Sequence, residues 1–192
     1  MIDINTYTNQ IIKTNTISNV LKLTEQLISL DYNVIMILDI DDTVLSSKIG
    51  QKFVEKDICK LVDIIYTQNP SNLIFLTARD YNMIMYTRKQ LNSAGLLHKG
   101  KFINYNIICS PYDEEGNPTK GKTIFNYFDK GFGKNLLVEE LELELELDKK
   151  NWIIFVDDLQ EQIESVNQFI NKNCCNYTLF HYKYNYFNLG FF

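Results

Sequence analysis

The chain is poor in the residues that would mark several classes of protein. Its 192 residues hold four cysteines, three prolines, eight glycines and two histidines. Cys59, Cys109, Cys174 and Cys175 have neither CxxC spacing nor histidines nearby, which argues against a zinc centre. Met1 to Thr6 lacks the basic-then-apolar pattern of a secretory leader. The cysteines are therefore expected to be reduced thiols, and the chain cytoplasmic. His98 and His181 stand apart, so a histidine-based catalytic triad has no support. No apolar run approaches the ~18 residues that would cross a bilayer. Positive charge is also in short supply, and a net charge of −5 disfavours non-specific binding to nucleic acid or to an anionic membrane.

What is present is a set of short, continuous apolar runs separated by helical periodicity. Val20, Leu21, Leu23, Leu27 and Ile28 recur at helical spacing over 17–30, with Lys22 and Glu25 on the other face. Val34 to Leu38 follows, unbroken and rich in branched residues, as a fully buried strand of a parallel sheet should be. Ser46, Ser47 and Gly50 mark a loop. Helical spacing resumes from about Phe53 to Tyr66 and is broken at Asn69-Pro70-Ser71-Asn72. Leu73 to Leu76 is a second buried run. A helix is expected from about Tyr81 to Ser93, stopped at Gly95. Tyr105 to Cys109 is a third extended run, and Lys120-Gly121-Lys122 opens a helix through Phe128. Trp152 to Val156 is a fourth run, a helix is expected over 160–171, and Tyr177 to Tyr182 is a fifth strand.

Strands alternating with helices predict an α/β fold, a three-layer doubly wound, Rossmann-like parallel sheet of about five strands. The length suits a single domain, with a core over 33–182. A Leu/Glu-rich insertion over 136–150 interrupts it. There Glu140, Glu142, Glu144 and Glu146 read as a solvated face, and the period of two suggests an edge strand although Leu and Glu prefer helix.

Three of the buried runs end in polar residues. The first runs into Asp39-Ile40-Asp41-Asp42-Thr43, the second into Thr77-Ala78-Arg79-Asp80, and the fourth into Asp157 and Asp158. Right-handed crossovers bring such ends to one edge of the sheet, where ligands of these folds bind. Crowded carboxylates repel one another unless a cation lies between them, and oxygen donors suit a hard divalent ion. The competing reading is a set of strand-end turns and helix caps, which also favour Asp and Thr.

This ordered set resembles the haloacid dehalogenase superfamily of aspartate-nucleophile phosphohydrolases, in its small bacterial members, over about Val34 to Val166. The Asp-x-Asp-x-Thr motif is complete at Asp39, Asp41 and Thr43. The resemblance implies that Asp39 attacks phosphorus and that Asp41 is the general acid and base. Thr43 would orient the loop by hydrogen bonding, Thr77 would bind the phosphoryl group and Arg79 is a candidate phosphate ligand. Lys120, favoured over Lys122, would neutralise developing charge. Mg2+ would be held by Asp39, the backbone carbonyl of Asp41, and Asp158, with Asp157 as second ligand or orienter. Family members often carry another acid or Asn some four residues on, where this chain has Gln162 beside Glu161.

Neither 42–73 nor 80–119 has room for a large cap, so an open site is expected. It would accept a phosphorylated substrate, either a small molecule or a macromolecule. A monomer or homodimer is expected, with no nucleic-acid or membrane partner. The alternative is a catalytically weak or inactive protein of the same fold that binds phosphate or a partner. A two-component receiver domain is discarded, because Asp57 and Asp63 lie within a helical pattern. Tyr182, Tyr184, Tyr186, Phe187, Phe191 and Phe192 form an aromatic tail that reads as packed core or a dimer surface.

Overall fold

A computed structural model describes residues 3–48, 52–98, 101–103, 105–129, 150–170 and 175–184. The Leu/Glu-rich run and Tyr186, Phe187, Phe191 and Phe192 lie outside the described residues. The strands are β1 (Gln10–Thr14), β2 (Asn33–Leu38), β3 (Leu73–Thr77), β4 (Leu97–His98), β5 (Lys101–Phe102), β6 (Asn106–Cys109), β7 (Asn151–Asp157) and β8 (Asn176–Tyr182). The α-helices are α1 (Ile17–Ser29), α2 (Asp57–Gln68), α3 (Ile84–Ser93), α4 (Lys120–Asp129) and α5 (Gln160–Ile170).

Six strands form one sheet in the order β1-β8-β7-β2-β3-β6, and every pairing is parallel. The five expected strands are all there. The sixth, β1, extends the expected sheet at the edge beside β8, and β4 and β5 add a separate antiparallel ribbon. The architecture is α/β and Rossmann-like.

Alternation along β2 divides the core into two layers. Val34, Met36 and Leu38 face one side with Val20, Leu23 and Leu27 of α1 and Ile58, Leu61 and Ile65 of α2. Ile35 and Ile37 face the other side with Ile163 and Val166 of α5 and Ile124 of α4. β2 and β7 are buried on both faces, which is why they read as unbroken apolar runs. Each such side chain contributes about 1.5–3 kcal/mol when fully withdrawn from water.

Several boundaries move for local reasons. Phe53 and Val54 precede α2: Phe53 pairs with Leu45 in an isolated bridge, and Val54 N–H donates to the carbonyl of Val44. Tyr81–Met83 is a 3-10 turn ahead of α3. After α3, Gly95 takes a φ of 97°, where a side chain would be strained.

Connectivity positions the site. From β2 the chain winds outward through β3 to β6, then returns to the other side of β2 and winds outward through β7 and β8. The direction therefore reverses between β2 and β7. In open α/β sheets the crevice beyond the carboxyl ends of such neighbours is where ligands bind.

Candidate active site

Register brings the carboxylates together. Leu38 lies opposite Val156, and the amide of Asp39 donates to the carbonyl of Val156 at 2.9 Å. Asp39 thus lies beside Asp157 at the mouth of the switch point. Carboxylate oxygens of Asp39, Asp157 and Asp158 all fall within 4.8 Å of one another. Asp39 and Asp157 are buried, and Asp158 is half-buried.

Lys120 enters this cluster from the first turn of α4. Its Nζ donates to Asp39 Oδ1 at 2.5 Å and to Asp157 Oδ2 at 2.6 Å. The lysine side chain is 1% exposed, so it is a fully enclosed counter-charge. Lys122 turns outward to solvent. Gly121 explains how the lysine gets in. A Cβ at Gly121 would lie 2.1 Å from the backbone oxygen of Ser165, so only glycine lets α4 pack this closely on α5. The Gly121 amide also donates to Ser165 Oγ at 3.2 Å.

One ammonium does not balance three carboxylates. Burial alone would favour a neutral lysine, but Asp39 and Asp157 overcome it and hold Lys120 charged. Burial raises Asp39 against the pull of Lys120, and the neighbouring Asp157 raises it further. Asp158 is pushed up to about 7, first by burial and then by the charges of Asp157 and Asp42. Asp157 has both oxygens engaged, since Oδ1 accepts from the amide of Leu159 at 2.9 Å. Oxygen-only donors with excess negative charge fit a hard divalent cation. Asp39 and Asp158 are the residues that would hold it, with Asp157 orienting Lys120 and the turn into α5.

Asp41 lies two residues beyond Asp39 but outside this cluster. Its carboxylate receives two bonds from Arg79, Nε to Oδ2 at 2.8 Å and the second terminal nitrogen to Oδ1 at 2.5 Å. Arg79, expected as a phosphate ligand, pairs here with the expected general acid. Thr77 closes β3 fully buried, and its hydroxyl accepts from the amide of Arg79 at 3.2 Å. It therefore caps the turn that carries Arg79.

Thr43 differs from expectation. It is buried, and its hydroxyl has no hydrogen-bond partner among the described residues. The loop is held by other groups. The amides of Val44 and Leu45 donate to the carbonyl of Ile40 at 3.0 and 2.8 Å. Asp42, at a φ of 58°, accepts from the amide of Ser47 at 2.8 Å. Gln162 is fully buried, whereas Glu161 accepts from the Tyr112 hydroxyl at 2.6 Å, so neither joins the carboxylate cluster.

Two features lay beyond sequence reasoning. His181 on β8 stands opposite Asp157 in register, and its Nε2 lies 3.1 Å from the carbonyl of Asp158. Burial lowers its basicity, which favours a neutral ring donating to that carbonyl. Glu55 accepts from the amide of Ile17 at 3.0 Å, from Thr16 Oγ1 at 2.9 Å and from the Tyr182 hydroxyl at 2.8 Å. It ties the loop after β2 to α1 and β8.

An all-parallel sheet with clustered carboxylates and an enclosed lysine at its switch point makes this a Rossmann-like α/β protein with a candidate cation site. The chain belongs to the family described as a protein of unknown function (DUF2608), whose model matches residues 49–187. That span includes Thr77, Arg79, Lys120, Asp157 and Asp158 and begins after Asp39, Asp41 and Thr43. No curated protein and no solved structure matches the chain. Among the described residues no helix is long and apolar enough to cross a membrane.

Proposed function

We propose that this chain is a magnesium-dependent phosphohydrolase of the haloacid dehalogenase type, acting on a phosphate monoester through Asp39. The observation that carries the proposal is the contact of Asp39 with the enclosed Lys120, beside Asp157 and Asp158. A carboxylate at a strand end, with a fixed cation against it, suits attack on a phosphoryl group whose oxygens need neutralising.

Asp39 supplies the nucleophilic oxygen. Its bond to phosphorus forms as the bond from phosphorus to the leaving oxygen breaks, and Asp41, once one of its oxygens is freed from Arg79 and protonated by solvent, gives that proton to the leaving oxygen. In the second half Asp41 takes a proton from water, whose oxygen attacks phosphorus and displaces Asp39. Splitting one displacement into two lowers the barrier of each. Lys120 holds positive charge against the reacting carboxylate and phosphoryl oxygens throughout. Bound magnesium would supply additional electrostatic stabilisation of the phosphoryl oxygens. The substrate is a phosphorylated small molecule or macromolecule, since the segments after β2 and β3 build no large cap among the described residues.

The test is hydrolysis of a chromogenic aryl phosphate, with magnesium and with chelator, by wild type and Asp39→Asn. Magnesium-dependent turnover that disappears in the variant is expected. A folded wild type that binds phosphate without turning it over would favour the binding-module reading instead.

A further inference from the structure

The peptide unit that follows Asp158 is held at both ends. Its N–H belongs to Leu159 and donates to Asp157 Oδ1 at 2.9 Å. Its carbonyl belongs to Asp158 and faces His181 Nε2 at 3.1 Å. A carbonyl only accepts, so Nε2 carries the hydrogen and the ring donates. On the other side of Asp158, Asp157 is the last residue of β7 and stands opposite His181 in the parallel ladder. The backbone of Asp158 is thus fixed before and after its Cα, and with it the direction of the Cα–Cβ bond. That direction carries the carboxylate to within 4.8 Å of those of Asp39 and Asp157. Left to itself the group would turn away to water, since burial and then the charges of Asp157 and Asp42 work against its ionised form.

His181 is the odd member of its strand. It is 3% exposed and continues the face of β8 on which Tyr177 and Leu179 pack. Its Nδ1 is buried and has no hydrogen-bond partner among the described residues. A leucine or phenylalanine would fill the place without burying that nitrogen unpaired. What the imidazole supplies and an apolar side chain lacks is the bond to Asp158. We propose that His181 is a positioning residue for the cation site, clamping the peptide after Asp158 so that the carboxylate is directed at the metal position before the ion arrives. This role rests on the magnesium site of the phosphohydrolase reading and deepens it.

A clamp of this kind acts through ordering. Carboxylates that repel one another scatter when no cation is bound, and an arriving ion must then gather them at a cost in affinity. Groups that hold metal ligands in place are worth about 10–100-fold in affinity. His181 bonds the backbone of a ligand and not its carboxylate, so the lower end of that range applies. It can also be replaced without changing the number of carboxylates in the cluster. Asp157, the other arm of the clamp, cannot, because it also holds Lys120.

The experiment measures magnesium binding by calorimetry, at one mildly alkaline pH, for wild type, His181→Phe and His181→Gln. Urea unfolding in chelator establishes that each variant is folded. Phenylalanine keeps a ring and removes the donor, whereas the glutamine amide reaches as far as Nε2 and can donate. For His181→Phe we expect the Kd for magnesium to rise about 10-fold. For His181→Gln it should stay within about threefold of wild type. If phenylalanine prevents folding, His181→Leu removes the same donor with a smaller side chain and carries the same expectation. A magnesium Kd unchanged in the apolar variants overturns the inference, whatever happens to their stability, because the bond then serves the fold alone. An equal rise in the apolar variants and in His181→Gln overturns it too. A wild type that binds no magnesium overturns the metal site and this inference with it. A wild type that binds magnesium, shows the expected variant effect and hydrolyses no phosphate monoester overturns the phosphohydrolase reading and leaves His181 in its role.

Discussion

Replacing Lys120 with methionine tests how the centre of the site is held together. The substitution keeps an unbranched apolar stem and deletes the ammonium that touches Asp39 and Asp157. The side chains of the three groups are 1%, 6% and 0% exposed, so water cannot take the place of the lost charge. Removing one partner of a buried ion pair costs about 3–5 kcal/mol, because the remaining charge is left uncompensated. For a chain of this length each kcal/mol moves the melting temperature by about 2–4 °C, so a fall of roughly 6–20 °C is expected.

The assay is urea and thermal unfolding in chelator, at mildly acid and mildly alkaline pH. The deficit should be larger at alkaline pH, where the Asp39 carboxylate left without its counter-charge is ionised, and smaller in acid, where burial favours its taking a proton. Added magnesium should restore part of the lost stability at alkaline pH. A deficit below about 1 kcal/mol would refute the reasoning, since that is the scale of an exposed pair. A deficit that grows in acid would refute it as well.

Three further outcomes follow from the packing and charge around the site. Gly121→Ala forces a Cβ to 2.1 Å from the Ser165 carbonyl oxygen and 2.6 Å from the Phe169 ring. It should destabilise by about 1–3 kcal/mol or more, read by urea unfolding, and lower activity as α4 carries Lys120 away from Asp39. Glu55→Ala removes the acceptor of the amide at the start of α1 and of Thr16 Oγ1, and should cost about 1–3 kcal/mol in the same assay. In metal-free protein Asp158 keeps its proton up to about 7, whereas an unfolded aspartate loses it near 3.8. Between those values the folded state binds more protons, so stability falls as pH rises. Melting temperature in chelator should decline across that window, less steeply in Asp158→Asn, and magnesium should raise it most at the upper end.

Those parts of the architecture that leave a local trace could be read from the sequence. β2 and β7 are buried on both faces, so they show as unbroken apolar runs, and their terminal acids mark the sheet edge. Lys120 was favoured through the resemblance, in which Lys-Gly opens a helix, and the close backbone approach expected of Gly121 is to Ser165. β1 was not legible. Gln10, Ile11, Ile12, Lys13 and Thr14 lie at the sheet edge with Ile11 36% exposed, so neither strict alternation nor a continuous run appears. The pairing of Arg79 with Asp41 was equally hidden. The two are 38 positions apart, and only the β2–β3 pairing brings their loops together. Thr87 and Gln90 look like ordinary polar residues of a surface helix until Arg79 is seen between them and Asp41. Glu55, too, reads as one more acid before a helix, since its partners come from α1 and β8.

The central claim is that Asp39 carries the phosphoryl group during turnover. The most direct test uses Asp41→Asn with an aryl phosphate and magnesium, because the good leaving group still departs while the water step is slowed. Acid quenching during turnover, followed by mass spectrometry of the digested chain, should find one added phosphoryl group on the peptide containing Asp39. It should find none when Asp39→Asn is combined with Asp41→Asn. Turnover by wild type with no phosphoryl group on Asp39 at any time in Asp41→Asn, or with the group on another residue, would contradict the account.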